Sequence, residues 1–122
     1  MPRFVIQEHH ATRLHWDLRL ELDGVLKSWA VPKEPPSEPG VKRLAIPTAD
    51  HPLSYIDFEG VIPEKEYGAG VVRIWDSGLY ELESRTASKI VFRLRGKRLQ
   101  GRYVLIRAAW RGRGDWLFFR TE

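Results

Sequence analysis

Residues 14 to 24 read LHWDLRLELDG, and no other stretch restricts the fold of this chain so tightly. Leu14, Trp16, Leu18, Leu20 and Leu22 recur at every second position, with His15, Asp17, Arg19, Glu21 and Asp23 between them. A period of two is that of a β-strand with one buried face. Wound into a helix, the same five apolar side chains would scatter around the whole circumference. Asp23-Gly24 follows, a dipeptide suited to a two-residue hairpin turn, and VLKSWAV (25–31) supplies the return strand.

Short strand-like runs fill the rest of the chain. They are RFVIQ (3–7), KRLAI (42–46), LSYIDF (53–58), KIVFRLR (89–95), GRYVLIRAAW (101–110) and DWLFFR (115–120). VVRIW and LYELE flank Asp76-Ser77-Gly78, which reads as a second hairpin. GKRLQG (96–101) and RGRGD (111–115) read as turns, and IPEKEYGAG (62–70) as a loop or short helical turn. PKEPPSEPG (32–40) holds four prolines and predicts an extended surface loop. No helical periodicity persists beyond two turns. Eight or nine strands at such spacing predict an all-β barrel or sandwich. The expected Trp29, Trp75, Trp110, Trp116, Phe118 and Phe119 positions are core, since all lie in apolar strand patterns.

The chain has 122 residues, which predicts one domain over 1–122 with one core. It has no cysteine, which excludes a disulfide framework and a thiolate metal site and fits a reducing cytoplasm. No apolar run approaches the ~18 residues of a membrane span, and the N-terminus does not read as a signal peptide, so no membrane partner is expected. The net charge of +4 is unevenly spread. Residues 1 to 84 carry 9 Lys/Arg against 14 Asp/Glu, and residues 85 to 122 carry 11 against 2. Nine of those late cations are arginine, the side chain suited to bidentate phosphate contacts, so a basic face able to meet a polyanion is expected.

The polar face of the alternating strand carries the chemistry. Residues two apart on a strand point the same way with Cα atoms roughly 6.6 Å apart, so His15 and Asp17 can reach one metal ion. His9 could add a third ligand if its segment folds alongside, giving two imidazoles and a carboxylate with open positions, a set suited to Mn²⁺, Fe²⁺ or Zn²⁺. His10 points to the opposite side of an extended chain and stays outside. Arg19, next on that face, would repel a bare ion but fits an anion shared with it, as phosphate would be. Glu21 could hold Arg19 in place. His51 and Tyr55 in ADHPLSY could serve a phosphate oxygen, and Lys33 and Arg43 flank the proline loop. A plain solvated strand face with local ion pairs accounts for the same row of charges. HAT (10–12) fits the His-x-Thr unit of two-histidine phosphoesterases, but no second copy exists. HWD (15–17) fits the His-x-Asp of iron oxygenases with His51 as a distal ligand, which leaves Arg19 and the basic half unexplained.

Taken together, FVIQEHHATRLHWDLRLELDGVLKSWAVPK and KRLAIPTADHPLSYIDFEGVIPEKEYGAG closely resemble the 3′-phosphoesterase module of the DNA ligase D family, end-joining ligases of bacteria and some archaea. The resemblance runs from Phe4 to about Trp75 and continues more loosely through GRYVLIR. It implies a compact β-barrel that heals DNA 3′ ends. The family cleaves off a terminal ribonucleoside, leaving a 3′-phosphate, and then removes that phosphate to leave the 3′-hydroxyl that polymerases and ligases need. A divalent metal, typically Mn²⁺, is required. By position, His9, His15 and Asp17 match the metal ligands, Arg19 and His51 the phosphate-contacting residues, and Tyr55 the tyrosine beside them. Lys33 and Arg43 match basic residues supporting the phosphate site, and Gln7 a polar residue beside the first histidine. Trp16 stands where the family often has another aromatic. The chain starts eight residues before His9, where ligase-fused members usually carry a further segment. The expectation is a stand-alone enzyme or an excised module, working with a separately encoded ligase or polymerase. The other readings that stand beside it are a non-enzymatic nucleic-acid-binding barrel and an iron oxygenase.

Overall fold

A computed structural model describes residues 1–111 and 114–122. Among them are nine strands: β1 (Arg3–His10), β2 (Leu14–Leu22), β3 (Val25–Val31), β4 (Lys42–His51), β5 (Gly60–Ile62), β6 (Gly70–Arg85), β7 (Lys89–Gly96), β8 (Gln100–Arg107) and β9 (Trp116–Arg120). Two 3₁₀ turns cover Leu53–Asp57 and Ala109–Arg111. Every pairing between strands is antiparallel. Around the sheet the order is β1-β2-β3-β4-β9-β8-β7-β6, and β6 pairs with β1 to close an eight-stranded barrel, the expected class. Closure removes the open sheet edges that a sandwich would have to protect. The short β5 stands outside the ring, paired with the first residues of β6.

The β2–β3 hairpin forms as its turn demands. Asp23 (φ 57°) and Gly24 (φ 77°) both take the left-handed conformation, which matches the turn to the twist of the flanking strands. The pairing then runs from Leu22↔Val25 to Trp16↔Val31 without a slip. Inward-facing side chains from around the ring fill the barrel, among them Phe4, Ile6, Trp16, Leu18, Leu20, Trp29, Phe92 and Phe118. Tyr80 and Tyr103 are fully buried, and their hydroxyls donate to the carbonyls of Glu21 and Pro36, each over 2.7 Å. Burial pushes both phenols up to about 12.

Four expectations are corrected. LSYIDF (53–58) is not a strand: Leu53–Asp57 forms a 3₁₀ turn, with Tyr55 N–H donating to the Pro52 carbonyl and Phe58 N–H to that of Tyr55. The strand before it runs on to His51. Asp76-Ser77-Gly78 is no hairpin but the middle of the 16-residue β6. It sits where the β1–β6 pairing slips, between Ile6↔Asp76 and Gln7↔Ile74. Gly78 serves close packing there, since a Cβ would lie 2.3 Å from the Arg95 carbonyl oxygen. Asp76 is buried and its carboxylate accepts N–H groups from Lys97, Arg98 and Leu99, so it folds the β7–β8 turn. The proline segment is less superficial than expected: Pro35 and Pro36 are buried, and Pro36 accepts the Tyr103 hydroxyl. Trp110 is not core but 74% exposed, because β8 ends at Arg107. The predicted turn RGRGD includes residues 112 and 113, outside the described residues.

Candidate metal and phosphate site

The site lies on the outer wall of the barrel. Alternation sends Phe4 and Ile6 of β1 and Trp16, Leu18 and Leu20 of β2 inward. Their neighbours Val5, Gln7 and His9, and His15, Asp17 and Arg19, therefore face outward. The strand pairing sets His9 opposite His15, Gln7 opposite Asp17, and Arg19 opposite Ser28 of β3. An outer face is ordinarily wet, but here the 3₁₀ turn roofs it, with Ile56 packed on Val5 and Leu26. Gln7 is 0%, Arg19 4% and Asp17 6% exposed, so these polar groups need partners within the protein.

They have them. Arg19 Nε donates to Gln7 Oε1 at 2.7 Å and Nη1 to Ser28 Oγ at 2.8 Å. Its Nη2 lies 3.6 Å from Asp17 Oδ2, and its guanidinium carbon lies 5.1 Å from the centre of the Tyr55 ring. Gln7 turns its amide nitrogen the other way, donating to the Tyr55 and Phe58 carbonyls at 3.2 Å each. One side chain thus fastens the roof to the wall and holds the arginine.

The two histidines and Asp17 bring three ligand atoms within 4.8 Å of one another. His9 Nδ1 is 3.4 Å from Asp17 Oδ2, and His15 Nε2 is 3.3 Å from Asp17 Oδ1. The remaining ring nitrogens face carbonyls: His9 Nε2 that of Gly68 at 2.7 Å, His15 Nδ1 that of Arg13 at 3.1 Å. A proton on each of these nitrogens leaves a lone pair on the nitrogen nearest Asp17, which is how metal-binding imidazoles are commonly fixed. This donor set fits a divalent cation.

The electrostatics agree. The hydrogen bond to Asp17 raises the His15 imidazole above its usual range. Burial alone would push the Asp17 carboxyl up, but the His15 bond and the Arg19 charge outweigh it and hold the group below the usual carboxylate range. Burial lowers Arg19, a guanidinium that stays charged all the same. His51 is lowered by burial and by Arg19, whose Nη1 lies 3.2 Å from His51 Nδ1, while the Ala49 carbonyl lies 3.0 Å from the same nitrogen. Burial raises Tyr55, whose ring centre is 4.8 Å from that of His51.

Seven expected residues are therefore brought together: Gln7, His9, His15, Asp17, Arg19, His51 and Tyr55. Three are not. Glu21 does not hold Arg19, because its carboxylate accepts the Arg3 backbone N–H at 2.9 Å; Gln7 reaches the guanidinium from the neighbouring strand instead. Lys33 and Arg43 line a separate cleft of about 200 Å³ with Lys42, and Arg43 Nε donates to the Glu34 carbonyl at 2.7 Å. His10 stays outside, 3.4 Å from Glu8. Two contributors went unforeseen. Ser28 could have been found from the two-residue hairpin, which fixes its position opposite Arg19. Gly68 could not, because only the tertiary fold carries its carbonyl to His9.

The expected basic face is partly neutralised. Arg93 and Arg102 both bridge Glu83 and Glu122, Arg95 pairs with Glu81, Arg85 with Asp23 and Arg111 with Asp115. Antiparallel pairing sets the acidic residues of β6 beside the arginines of β7, which summing charge along the chain cannot reveal.

Comparison with known proteins agrees with this geometry. The chain is 55% identical over 124 residues to the multifunctional non-homologous end joining DNA repair protein LigD of Mycobacterium tuberculosis, covering 98% of this chain and 16% of that protein. It is 48% identical over 126 residues to the multifunctional non-homologous end joining protein LigD of Pseudomonas aeruginosa, covering 98% and 15%. The Mycolicibacterium smegmatis protein of that name is 49% identical over 131 residues, covering 98% and 17%. The chain thus spans about a sixth of the length of these relatives. The family model for the DNA Ligase D 3′-phosphoesterase domain matches residues 7–107, from the glutamine that braces Arg19 to the end of β8, and the chain belongs to that family.

Proposed function

We propose that the chain is a Mn²⁺-dependent phosphoesterase that heals DNA 3′ ends, removing a 3′-phosphate and, ahead of it, a 3′-terminal ribonucleoside. The observation that carries this reading is the buried Arg19, held between Asp17 and His51 at the wall of a cavity of about 690 Å³. A fixed guanidinium beside a metal-binding triad recognises an anion that shares its oxygens between the two, as a phosphate ester does.

His9, His15 and Asp17 would hold the ion; two imidazoles and a carboxylate accept Mn²⁺ as they do Fe²⁺ or Zn²⁺, and the choice of manganese follows the family resemblance. A divalent cation there supplies positive charge that polarises a phosphate oxygen and offsets charge in the transition state. Arg19 binds a second oxygen and fixes phosphorus for in-line attack by water. His51 Nδ1 faces both a donor, Arg19, and an acceptor, the Ala49 carbonyl. A phosphate in the cavity favours the protonated ring, with Nδ1–H on Ala49 and Nε2–H on the ester, where it can protonate the leaving oxygen, the strand's 3′ oxygen when phosphate is removed and the 5′ oxygen of the nucleoside when a ribonucleoside is removed. Tyr55 packs against both residues. Lys33 and Arg43, outside the cavity, are assigned to the strand leading to the end. Glu21 is assigned to the β1–β2 pairing, where it caps Arg3.

The relatives' names carry the setting: non-homologous end joining in DNA repair. On this reading, DNA 3′ ends are the substrate, a separately encoded ligase or polymerase is the partner and the cytoplasm is the compartment. Among the described residues no helix is long and apolar enough to cross a membrane. The test is an end-labelled primer–template bearing a 3′-phosphate or a 3′-ribonucleotide, incubated with Mn²⁺, Mg²⁺, Zn²⁺ or no metal. Release of phosphate in Mn²⁺, lost in Asp17→Ala, is expected. Bound DNA with no turnover under any metal would make the chain a nucleic-acid-binding barrel instead.

A further inference from the structure

The cavity is larger and more apolar than a phosphate requires. Its volume of about 690 Å³ is that of sites taking a whole small molecule, whereas most polar groups gather on the wall formed by β1, β2 and β4, with Glu66 on the segment that covers it. The segment covering that wall adds Phe58, Val61 and Tyr67 to the lining. Val61 is 72% exposed and Tyr67 102%, so neither is there to pack the core. Apolar side chains clustered in a groove beside a charged site mark ligand contact more often than chance exposure. The segment is also anchored. Gln7 holds the Phe58 carbonyl, Glu59 accepts the Ile74 N–H at 2.8 Å, and β5 pairs with β6. The residue after Tyr67 is Gly68, whose carbonyl is bonded to His9. An exposed aromatic is thereby set one residue from a contact of the metal triad.

We infer that this apolar wall seats the terminal nucleoside of the strand, the base stacking on Tyr67 and the sugar resting on Val61 and Phe58 while the ester lies against Arg19. This rests on the phosphoesterase reading above and adds the part of the substrate that reading leaves unassigned. Stacking accepts every base, since each has a π face, so the wall gives affinity without sequence preference. It also predicts selection for a nucleoside end over a bare phosphate ester.

The experiment pairs a 3′-phosphate oligonucleotide carrying 2-aminopurine at its last position with one whose last position is abasic. The wild type should quench 2-aminopurine fluorescence on binding and, in Mn²⁺, hydrolyse the base-bearing end with a kcat/KM about tenfold above that of the abasic end. Tyr67→Ala should lose the quenching and bring the base-bearing end down to the abasic level, while Tyr67→Phe retains both. Quenching and discrimination undiminished in Tyr67→Ala would overturn the inference. If no metal supports phosphate release, the phosphoesterase reading falls, and the quenching titration still decides whether Tyr67 meets the base.

Discussion

Arg19 shows why single residues matter so much at this site. With Gln7, Ser28 and Asp17 around it, the guanidinium cannot turn away, and its charge is shielded from water. Arg19→Lys keeps the charge but leaves the Gln7 and Ser28 oxygens short of donors in a buried place. We expect a loss of about 2–4 kcal/mol in urea denaturation, and phosphate release at least about 100-fold slower in a single-turnover assay. Metal binding is separable from catalysis by calorimetry. Mn²⁺ at about 100 times its Kd should stabilise the fold by about 2.7 kcal/mol, raising Tm, and Asp17→Asn should abolish the rise. Tyr80 and Tyr103 govern the alkaline limit. Their phenols ionise near 10 when exposed but are pushed to about 12 by burial, so the folded chain holds these protons more tightly than the unfolded one. Their contribution is whole below pH 10 and is lost as pH rises toward 12. Unfolding followed by circular dichroism should begin in that window, and Tyr103→Phe should weaken the pH dependence while costing about 1 kcal/mol at neutral pH. At this scale two members of the candidate triad were legible, because a period of two and one spacing suffice to align His15 with Asp17, whereas His9 joins them through the β1–β2 pairing. The partner of Arg19 was not: Glu21 is its neighbour in sequence, but Gln7 is its neighbour across the sheet.

Among the elements, β6 departs most from its local signal. Asp-Ser-Gly is turn chemistry, yet Asp76 accepts the N–H groups of a different turn, and Gly78 lets the chain pass close to Arg95. Asp76→Ala leaves the Lys97, Arg98 and Leu99 amides without their acceptor. A loss of about 2–4 kcal/mol and faster hydrogen exchange at those three amides are expected, with the β2–β3 hairpin unaffected. The turn of that hairpin behaves as its sequence says. LSYIDF (53–58) reads as a strand because Tyr55, Ile56 and Phe58 are β-prone, yet the chain turns there after Pro52. In the structure Ile56 is buried against the outer wall while Leu53 remains 39% exposed, an asymmetry that only the surface beneath it imposes.

Across the whole molecule, charge behaves differently from its count. Arg93, Arg95 and Arg102 of the second half pair with Glu81, Glu83 and Glu122, which leaves less of their charge for a polyanion. Arg95→Gln should therefore change DNA affinity less than twofold at 0.1 M salt. Lys33→Gln with Lys42→Gln should weaken it and flatten the slope of log K against log salt by about one to two. The sequence by itself determined the strand-rich class, the β2–β3 hairpin with its register, and the shared face of His15 and Asp17, because these depend on side-chain period and on turn chemistry, which are local; His9 reaches them only through the β1–β2 pairing. It also carried the family resemblance. Only the tertiary structure decided that the site lies on the outer wall, that Gln7 and Ser28 hold the arginine, that Gly68 fixes His9, and that opposite charges meet across β6 and β7. Each of those depends on which strand closes against which, and that is settled by burying the inward faces of the whole ring together rather than by any one segment.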